Sequence, residues 1–274
     1  MDFLRSSLMI FGDFIRNKEI RKRVIKEELG AEEDEIPERV VVTPIPLNTQ
    51  FPKNFEDILI NMGIKVNRLK VGDQILQQFQ GNLFLEKDGS RGFIAFIGRG
   101  LIDFTERIRI LATISQIKDI LFIGTAGSLS NEILIGDLNI PKYVVPFENI
   151  SDFYVDPTAA IPQADETLLD EIYEYAKETE AKAYSALHAT ILFPYSETTE
   201  FLNYLVNIGV STIDMEVSAF YKVTKFYGKR AVAVLRISDM PLIELHKQKE
   251  LIKVKREIAI NAIFKIVLRF LKLI

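Results

Sequence analysis

Gly92-Phe93-Ile94-Ala95-Phe96-Ile97 and Ile120-Leu121-Phe122-Ile123 are two unbroken apolar runs of strand length. The first ends in Gly98-Arg99-Gly100. The second runs into Gly124-Thr125-Ala126-Gly127-Ser128-Leu129, which reads as a Gly-rich turn. Between them, Thr105 to Ile117 repeats apolar residues at helical spacing. Continuous rather than alternating apolar runs belong to strands buried on both faces. Strand, helix, strand with short turns is a βαβ unit, and its two strands run parallel. This unit commits the chain to an α/β sheet covered by helices.

Toward the N-terminus, Val40-Val41-Val42-Thr43 predicts the first core strand. It opens into Pro44-Ile45-Pro46-Leu47-Asn48-Thr49. Phe55 to Met62 reads as a helix ending near Gly63. Two short strands are expected within Val66 to Lys87, around Gly81-Asn82. Met1 to Glu38 reads as a helical extension. Leu4, Leu8, Phe11, Phe14 and Ile15 recur at helical spacing, Lys18 to Glu28 is dense in charge, and Glu32-Glu33-Asp34-Glu35 reads as a solvated linker. A helix packed on its own domain suits it better than a helix that docks a partner.

Toward the C-terminus, Gly136-Asp137 marks a turn, and Leu138-Asn139-Ile140 and Tyr143-Val144-Val145 flank Pro141. Glu166 to Thr179 is an amphipathic helix, Tyr184 to Phe193 is mostly strand-like, and Thr198 to Val206 is helical. Ile213 closes a short strand, and Glu216 to Phe226 is a helix that stops at Gly228. Ala231 to Ile237 is a buried strand, and Leu245 to Leu273 is mainly one long helix. No repeat or linker interrupts residues 40–274. The expectation is a single three-layer α/β domain over residues 39–274, with a mostly parallel or mixed twisted central sheet, preceded by the extension 1–38.

Composition narrows the function. The 274 residues are 48% hydrophobic and 26% charged, with a formal net charge of -4, so the chain carries no electrostatic footprint for nucleic acid. Cysteine is absent, which excludes disulfides and thiolate metal sites and points to a reducing compartment. His188 and His246 are too few for a multi-histidine metal centre. Asp2, Arg5 and Asp13 interrupt the early apolar stretch, and Lys265, Arg269 and Lys272 break Ile263 to Ile274, so neither a secretory signal nor a membrane span is read. A cytoplasmic location is expected.

Two segments bring carboxylates to strand ends. One is Ser211-Thr212-Ile213-Asp214-Met215-Glu216, the other Arg236-Ile237-Ser238-Asp239. Ligands of open α/β sheets gather outside the carboxyl ends of the strands. A purely structural account is also open: Asp214 can cap the following helix, Glu216 can sit in its first turn, and Asp239 can end its strand on a loop amide. The Gly-rich segment is neither a dinucleotide fingerprint nor a phosphate loop of the Gly-Lys-Thr type.

Taken together, Gly124-Thr125-Ala126-Gly127-Ser128-Leu129, Gly136-Asp137-Leu138, Asp214-Met215-Glu216 and Ile237-Ser238-Asp239 resemble, in order and spacing, the nucleoside phosphorylase and nucleosidase superfamily. That group includes purine nucleoside phosphorylases, uridine phosphorylases and methylthioadenosine nucleosidases. The resemblance implies that Glu216 holds the ribose hydroxyls, with Met215 against the sugar. It implies that Asp239 protonates or hydrogen-bonds the departing base, that Phe193 stacks on the base, and that Thr125 and Gly127 line the phosphate side. It implies a homo-oligomer (dimer, trimer or hexamer), and phosphate as co-substrate with no cofactor.

The family pattern is broken at two places. Phosphorylases resemble one another in a Gly-Asp-Pro-type first loop with an arginine, and here that loop is Thr43 to Gln50, with neither. They also tend to place an arginine two residues before Gly124, where Phe122 stands. An aromatic ring does not replace a guanidinium fork. The nucleosidase branch resembles itself in a first-loop glutamate, and Asn48, Thr49 and Gln50 supply none. Arg99 is the sequence's candidate for the lost phosphate charge, although an arginine in that turn pointing to solvent or pairing with an acid suits the sequence slightly better. The expected function is phosphorolysis of a nucleoside, with a purine favoured by Asp239. A catalytically weakened nucleoside-binding homologue and a phosphate-independent nucleosidase are the alternatives.

Overall fold

A computed structural model describes residues 17–69, 82–98, 100–149, 161–242 and 249–274. The first described helix is α1 (Lys18–Leu29), capped at its start by the Asn17 side chain and at its end by Gly30 in the left-handed region. Strand β1 (Arg39–Thr43) follows, then two short helices, α2 (Leu47–Gln50) and α3 (Phe55–Asn61). Next come β2 (Lys65–Arg68), β3 (Leu83–Lys87), β4 (Ser90–Phe96), α4 (Leu101–Ala112) and β5 (Asp119–Ser128). The second half holds β6 (Leu138–Asn139), β7 (Val144–Phe147), α5 (Glu166–Lys177), β8 (Ala183–Tyr184), β9 (His188–Ile191) and α6 (Thr199–Asn207). It closes with β10 (Thr212–Asp214), α7 (Val217–Phe226), β11 (Arg230–Asp239) and α8 (Lys249–Phe270). Expected helices 1–15 and the stretch around Gly81 fall outside the described residues.

All of these strands join one mixed sheet in the order β2-β3-β4-β1-β5-β10-β9-β7, with β11 added on β5, β6 on β11 and β8 on β6. The core strands β4, β1, β5 and β11 are parallel. Helices α4 and α7 pack on one face, where Phe104, Phe122 and Phe220 stack in a row with centroids 5.6 and 5.4 Å apart. Helices α5 and α8 cover the other, and Phe264 of α8 meets Phe51 edge-on at 5.2 Å. The fold is therefore a single α/β domain with a mixed, mostly parallel sheet between helices. Helix α1 adds Ile25 and Leu29 to the same core, and Arg21 donates to the Thr113 carbonyl at 2.8 Å. Among the described residues no helix is long and apolar enough to cross a membrane.

Three details differ from the sequence reading. The two strands of the βαβ unit are parallel but not neighbours, because β1 pairs with both and lies between them. Gly124 to Gly127 is not a turn. It lies inside β5, which continues past β1 and pairs antiparallel with β10 through Gly127 and Ser128. Glycine inside a strand marks a close approach rather than an end: a Cβ at Gly124 would stand 2.6 Å from a ring carbon of Phe122. Third, Asp88 and Gly89 both take positive φ, and form the tight turn that joins β3 to β4.

The sheet is pinned at the start of its central strands. Asp119 is the register partner of both Arg39 and Arg230. Asp119 is 1% exposed, and Arg230 clasps it with two bonds of 2.7 Å. Arg39 Nε lies 3.2 Å from the same carboxylate, and Arg39 also donates to Glu171 at 2.6 Å and to the Phe270 carbonyl at 3.0 Å. Burial pushes the Glu171 carboxyl up, but the Arg39 and Tyr175 hydrogen bonds outweigh it and hold it below the ordinary range. Removing one partner of a buried pair strands the other charge, at a cost of about 3–5 kcal/mol. Asp119→Ala should sit at the low end, about 3 kcal/mol, since Arg39 keeps Glu171. Urea unfolding at neutral pH measures it, and a loss of under about 1 kcal/mol would class the cluster with ordinary surface ion pairs.

Candidate functional site

A cleft of about 320 Å³ opens at the carboxyl ends of β1, β5, β10 and β11. Four strand ends supply its walls. Pro44 and Ile45 come from the loop after β1, Thr125 to Gly127 from β5, Ile213 to Glu216 from the end of β10, and Ser238 and Asp239 from β11. Ile191, Pro194 and Glu197 close the remaining side.

The β10 corner is held by a buried polar network. Asp214 Oδ2 accepts from the amides of Glu216 (3.1 Å) and Val217 (3.0 Å), so it caps α7, as the structural account anticipates. Its Oδ1 accepts from the Thr190 hydroxyl at 2.7 Å, and His188 Nε2 lies 2.9 Å away, at ion-pair distance but outside hydrogen-bond geometry. Thr212 Oγ1 accepts from Asn139 Nδ2 at 2.6 Å and lies 2.8 Å from His188 Nδ1. With Asp214 serving the helix amides, Glu216 makes no cap bond of its own. Glu216 is 6% exposed, and its Oε1 accepts from the Gly100 amide at 3.2 Å. The turn after β4 thus reaches the site although β4 is two strands away from β5.

The β11 corner depends on an irregularity. Register with β5 shifts between Ile237 and Asp239, so Ser238 is an extra residue. Consecutive residues of a regular strand face opposite sides, and a bulge re-aims them. Ser238 and Asp239 both line the cleft, and Ser238 Oγ donates to Asp239 Oδ1 at 2.6 Å. Gly127 leaves room for this corner: a Cβ there would come within 3.2–3.3 Å of Pro241, Ile213 and Asp239 Oδ2. Gly136 and Asp137 clasp the same strand from behind through Gly136 N to Ile237 O (3.1 Å) and Ile237 N to Asp137 O (2.9 Å).

Five of the residues singled out from sequence, Thr125, Gly127, Met215, Glu216 and Asp239, therefore meet in one cleft. Phe193 does not line it. The backbone is extended at Phe193, Pro194 begins a short 3-10 turn, and Pro194 faces the cleft while Phe193 lines a neighbouring hollow with Gly100 to Asp103 and Glu106. Arg99 lies outside the described residues. Phe122, which stands where an arginine is usual, is core: it is 1% exposed, between Phe104 and Phe220. Sequence reasoning overlooked Glu197. Burial pushes its carboxyl up, and the nearby Asp239 charge adds to the shift. The segment Pro194-Tyr195-Ser196-Glu197 has no periodicity that could have flagged it. The ionisable side chains on the cleft wall among the described residues are Glu197, Asp214, Glu216 and Asp239, all acidic. Among the described residues no group of three or more His, Asp or Glu side chains could hold a metal ion.

Comparison with known proteins agrees with this architecture. The model of the phosphorylase superfamily matches residues 57–272. Purine nucleoside phosphorylases of the DeoD type from Bacillus cereus (strain ZK / E33L) and Bacillus cytotoxicus are each 24% identical over 153 residues, 55% of this chain and 64% of theirs. The match thus spans less than two thirds of those relatives' length. Among solved structures, uridine phosphorylase from Vibrio fischeri ES114, complexed with 6-hydroxy-1-naphthoic acid, superposes with a TM-score of 0.71 at 18% identity, covering 90% of this chain and 98% of that one. A second structure of the same enzyme gives 0.69 at 18% identity, covering 89% and 97%. The likeness to these structures is one of fold, and the family match over most of the chain carries the assignment: this protein belongs to the phosphorylase superfamily.

Proposed function

We propose that this chain cleaves the N-glycosidic bond of a nucleoside, with phosphate as the nucleophile and a purine as the preferred base. One observation carries the reading: Glu216 with Met215, and Asp239 with Ser238, line a single cleft from two strand ends. In this reading Glu216 accepts hydrogen bonds from both ribose hydroxyls, and the Gly100 amide fixes its orientation. Met215 lies against the apolar side of the sugar. Asp239, steadied by Ser238, addresses the base as it leaves. Thr125 and Gly127 face the nucleophile, Arg99 contributes charge, and Phe193 reaches the base only if the adjoining hollow is shared by it.

The chemistry asks for these groups. Breaking a ribosyl–base bond builds positive charge on the sugar and negative charge on the base, as in glycoside hydrolysis. An acidic wall stabilises the first. A protonated carboxyl answers the second, and burial, with the nearby Asp239 charge, favours the neutral form of Glu197.

The second reading is a family member that binds nucleosides but cleaves them poorly or without phosphate. The acidic wall, with Phe122 in the core, favours it. Incubating the protein with inosine, adenosine, uridine and methylthioadenosine, with and without phosphate, separates the readings. Base release only with phosphate is the expected result. Release without phosphate indicates hydrolysis, and binding with no release indicates the weakened homologue. Glu216→Gln and Asp239→Asn should each lower kcat/KM by about 10²–10⁴. Activity within about twofold of wild type in both would remove the roles given to them.

Glu197 also predicts a pH effect on stability. Its carboxyl is raised in the folded protein, so the folded state prefers it neutral. Wild-type stability then falls as pH rises from the unfolded glutamate pKa through the higher folded value. Glu197→Gln removes that loss. Thermal melts from about pH 4 to 7 should show the variant gaining on wild type as pH rises. A variant that loses ground over the same range would contradict the shift.

A further inference from the structure

Arg236 is the feature of this molecule that packing alone does not explain. It is 6% exposed, and its Nε has no hydrogen-bond partner among the described residues. No described carboxylate pairs with it, and the one charge it feels is that of another cation, Arg256 on α8. Burial, then Arg256, bring its pKa down to about 10. A buried charge without a counter-ion costs several kcal/mol, so buried arginines are ordinarily paired. Among the described residues nothing offsets that cost, which leaves Arg236 able to take a bound anion as its partner.

The position of Arg236 says what the partner is near. It is the register partner of Thr125 in the parallel β5–β11 pair, and register partners project to the same face of a sheet. Thr125 lines the cleft. The Arg236 Nη2 reaches the Thr49 carbonyl at 3.5 Å, at the limit of a hydrogen bond. Thr49 belongs to the first loop, the segment whose Pro44 and Ile45 form the facing wall. The next residue, Gln50, is fully buried, and neither its amide nitrogen nor its amide oxygen has a hydrogen-bond partner among the described residues. Two orphaned polar side chains, one of them a cation, therefore lie where the Thr125 strand meets the first loop.

We propose that Arg236, with Gln50 and Thr125, binds a phosphate group at the inner end of the cleft. A guanidinium offers a planar fork that matches the oxygens of a tetrahedral oxyanion, and the Gln50 amide adds a neutral donor. In the proposed reaction, on which this inference partly rests, Arg236 supplies the charge that Phe122 and the first loop do not, so Arg99 need not act alone. The group is inorganic phosphate or the phosphoryl end of a nucleoside 5′-monophosphate, since both present the same oxygens.

Thermal melts of the full chain test the site without any activity. At constant ionic strength, inorganic phosphate at tenfold excess over its dissociation constant should raise the wild-type Tm by about 3 °C. Arg236→Met should abolish that rise, while its Tm without phosphate equals or exceeds wild type, because an unpaired buried charge is gone. Arg236→Lys, which keeps the charge and loses the fork, should retain a smaller rise. A rise with the nucleotide but not with phosphate upholds the site and names its source. No rise with either anion in wild type, or an undiminished rise in Arg236→Met, overturns it. Steady-state kinetics separate this from the activity. If phosphorolysis occurs, Arg236→Met should raise the KM for phosphate roughly tenfold or more and leave that for nucleoside within about twofold. Phosphorolysis with an unchanged phosphate KM sinks the site and spares the function. An anion response through Arg236 with no nucleoside cleavage does the reverse.

Discussion

Strand β5 must serve three partners along ten residues, and each group in the cleft is placed relative to it. On one edge it pairs first with β1 and then, antiparallel, with β10. On the other it pairs with β11 from Asp119 to Gly127. The buried carboxylate of Asp119 between Arg39 and Arg230 fixes where that pairing begins. A one-residue slip would turn each side chain to the opposite face. At the far end the strand has to pass close to other atoms, and glycine at 124 and 127 is what allows it. The consequence is functional: the end of β10 and the end of β11 arrive on either side of the same three residues of β5, and their carboxylates share one cleft.

Much of this was legible in the chain. Val40 to Thr43, Phe93 to Phe96 and Ala231 to Ile237 are buried strands because unbroken β-branched and apolar runs can be satisfied only between two helical layers. The acid-bearing segments could be recognised because their residues act through local geometry, a strand end followed by a helix start. What could not be read depends on contacts distant in sequence. No periodicity tells that β1 inserts between β4 and β5, since strand order is a property of the sheet. Gly124 to Gly127 reads as a turn because glycine signals both a turn and a close approach, and only the Phe122 ring beside Gly124 decides between them. The bulge at Ser238 has no signature of its own, and Glu197 is a polar residue in an aperiodic loop. Asp88-Gly89 is the opposite case. It is a standard hairpin signal, legible in the sequence from Asp-Gly between two strand-like runs.

The distribution of charge around the cleft follows from the same constraint. Four acidic side chains stand on the wall, and the buried cation Arg236 is the register partner of Thr125. A guanidinium on the wall itself would lie within a few ångströms of Glu216 or Asp239. At an effective dielectric near 20, opposite charges about 4 Å apart attract by about 4 kcal/mol. Such a pair would hold both carboxylates in place and take the hydrogen-bonding capacity a sugar or a base requires. In register with Thr125, and turned toward the Thr49 carbonyl, the arginine has no described acid to neutralise it. In the proposed site its charge would act on an anion held between the first loop and β5. Acids on the wall with a cation beside Thr125 would suit the proposed reaction, in which one part of the substrate becomes positive and its attacker is an anion. Phe122 sits in the core, between Phe104 and Phe220, where a guanidinium would be buried in an aromatic stack with no anion to meet. A cation on β5 at that position and one on β11 at Arg236 project to opposite faces, the first toward α4 and α7, the second toward the face on which Thr125 lies.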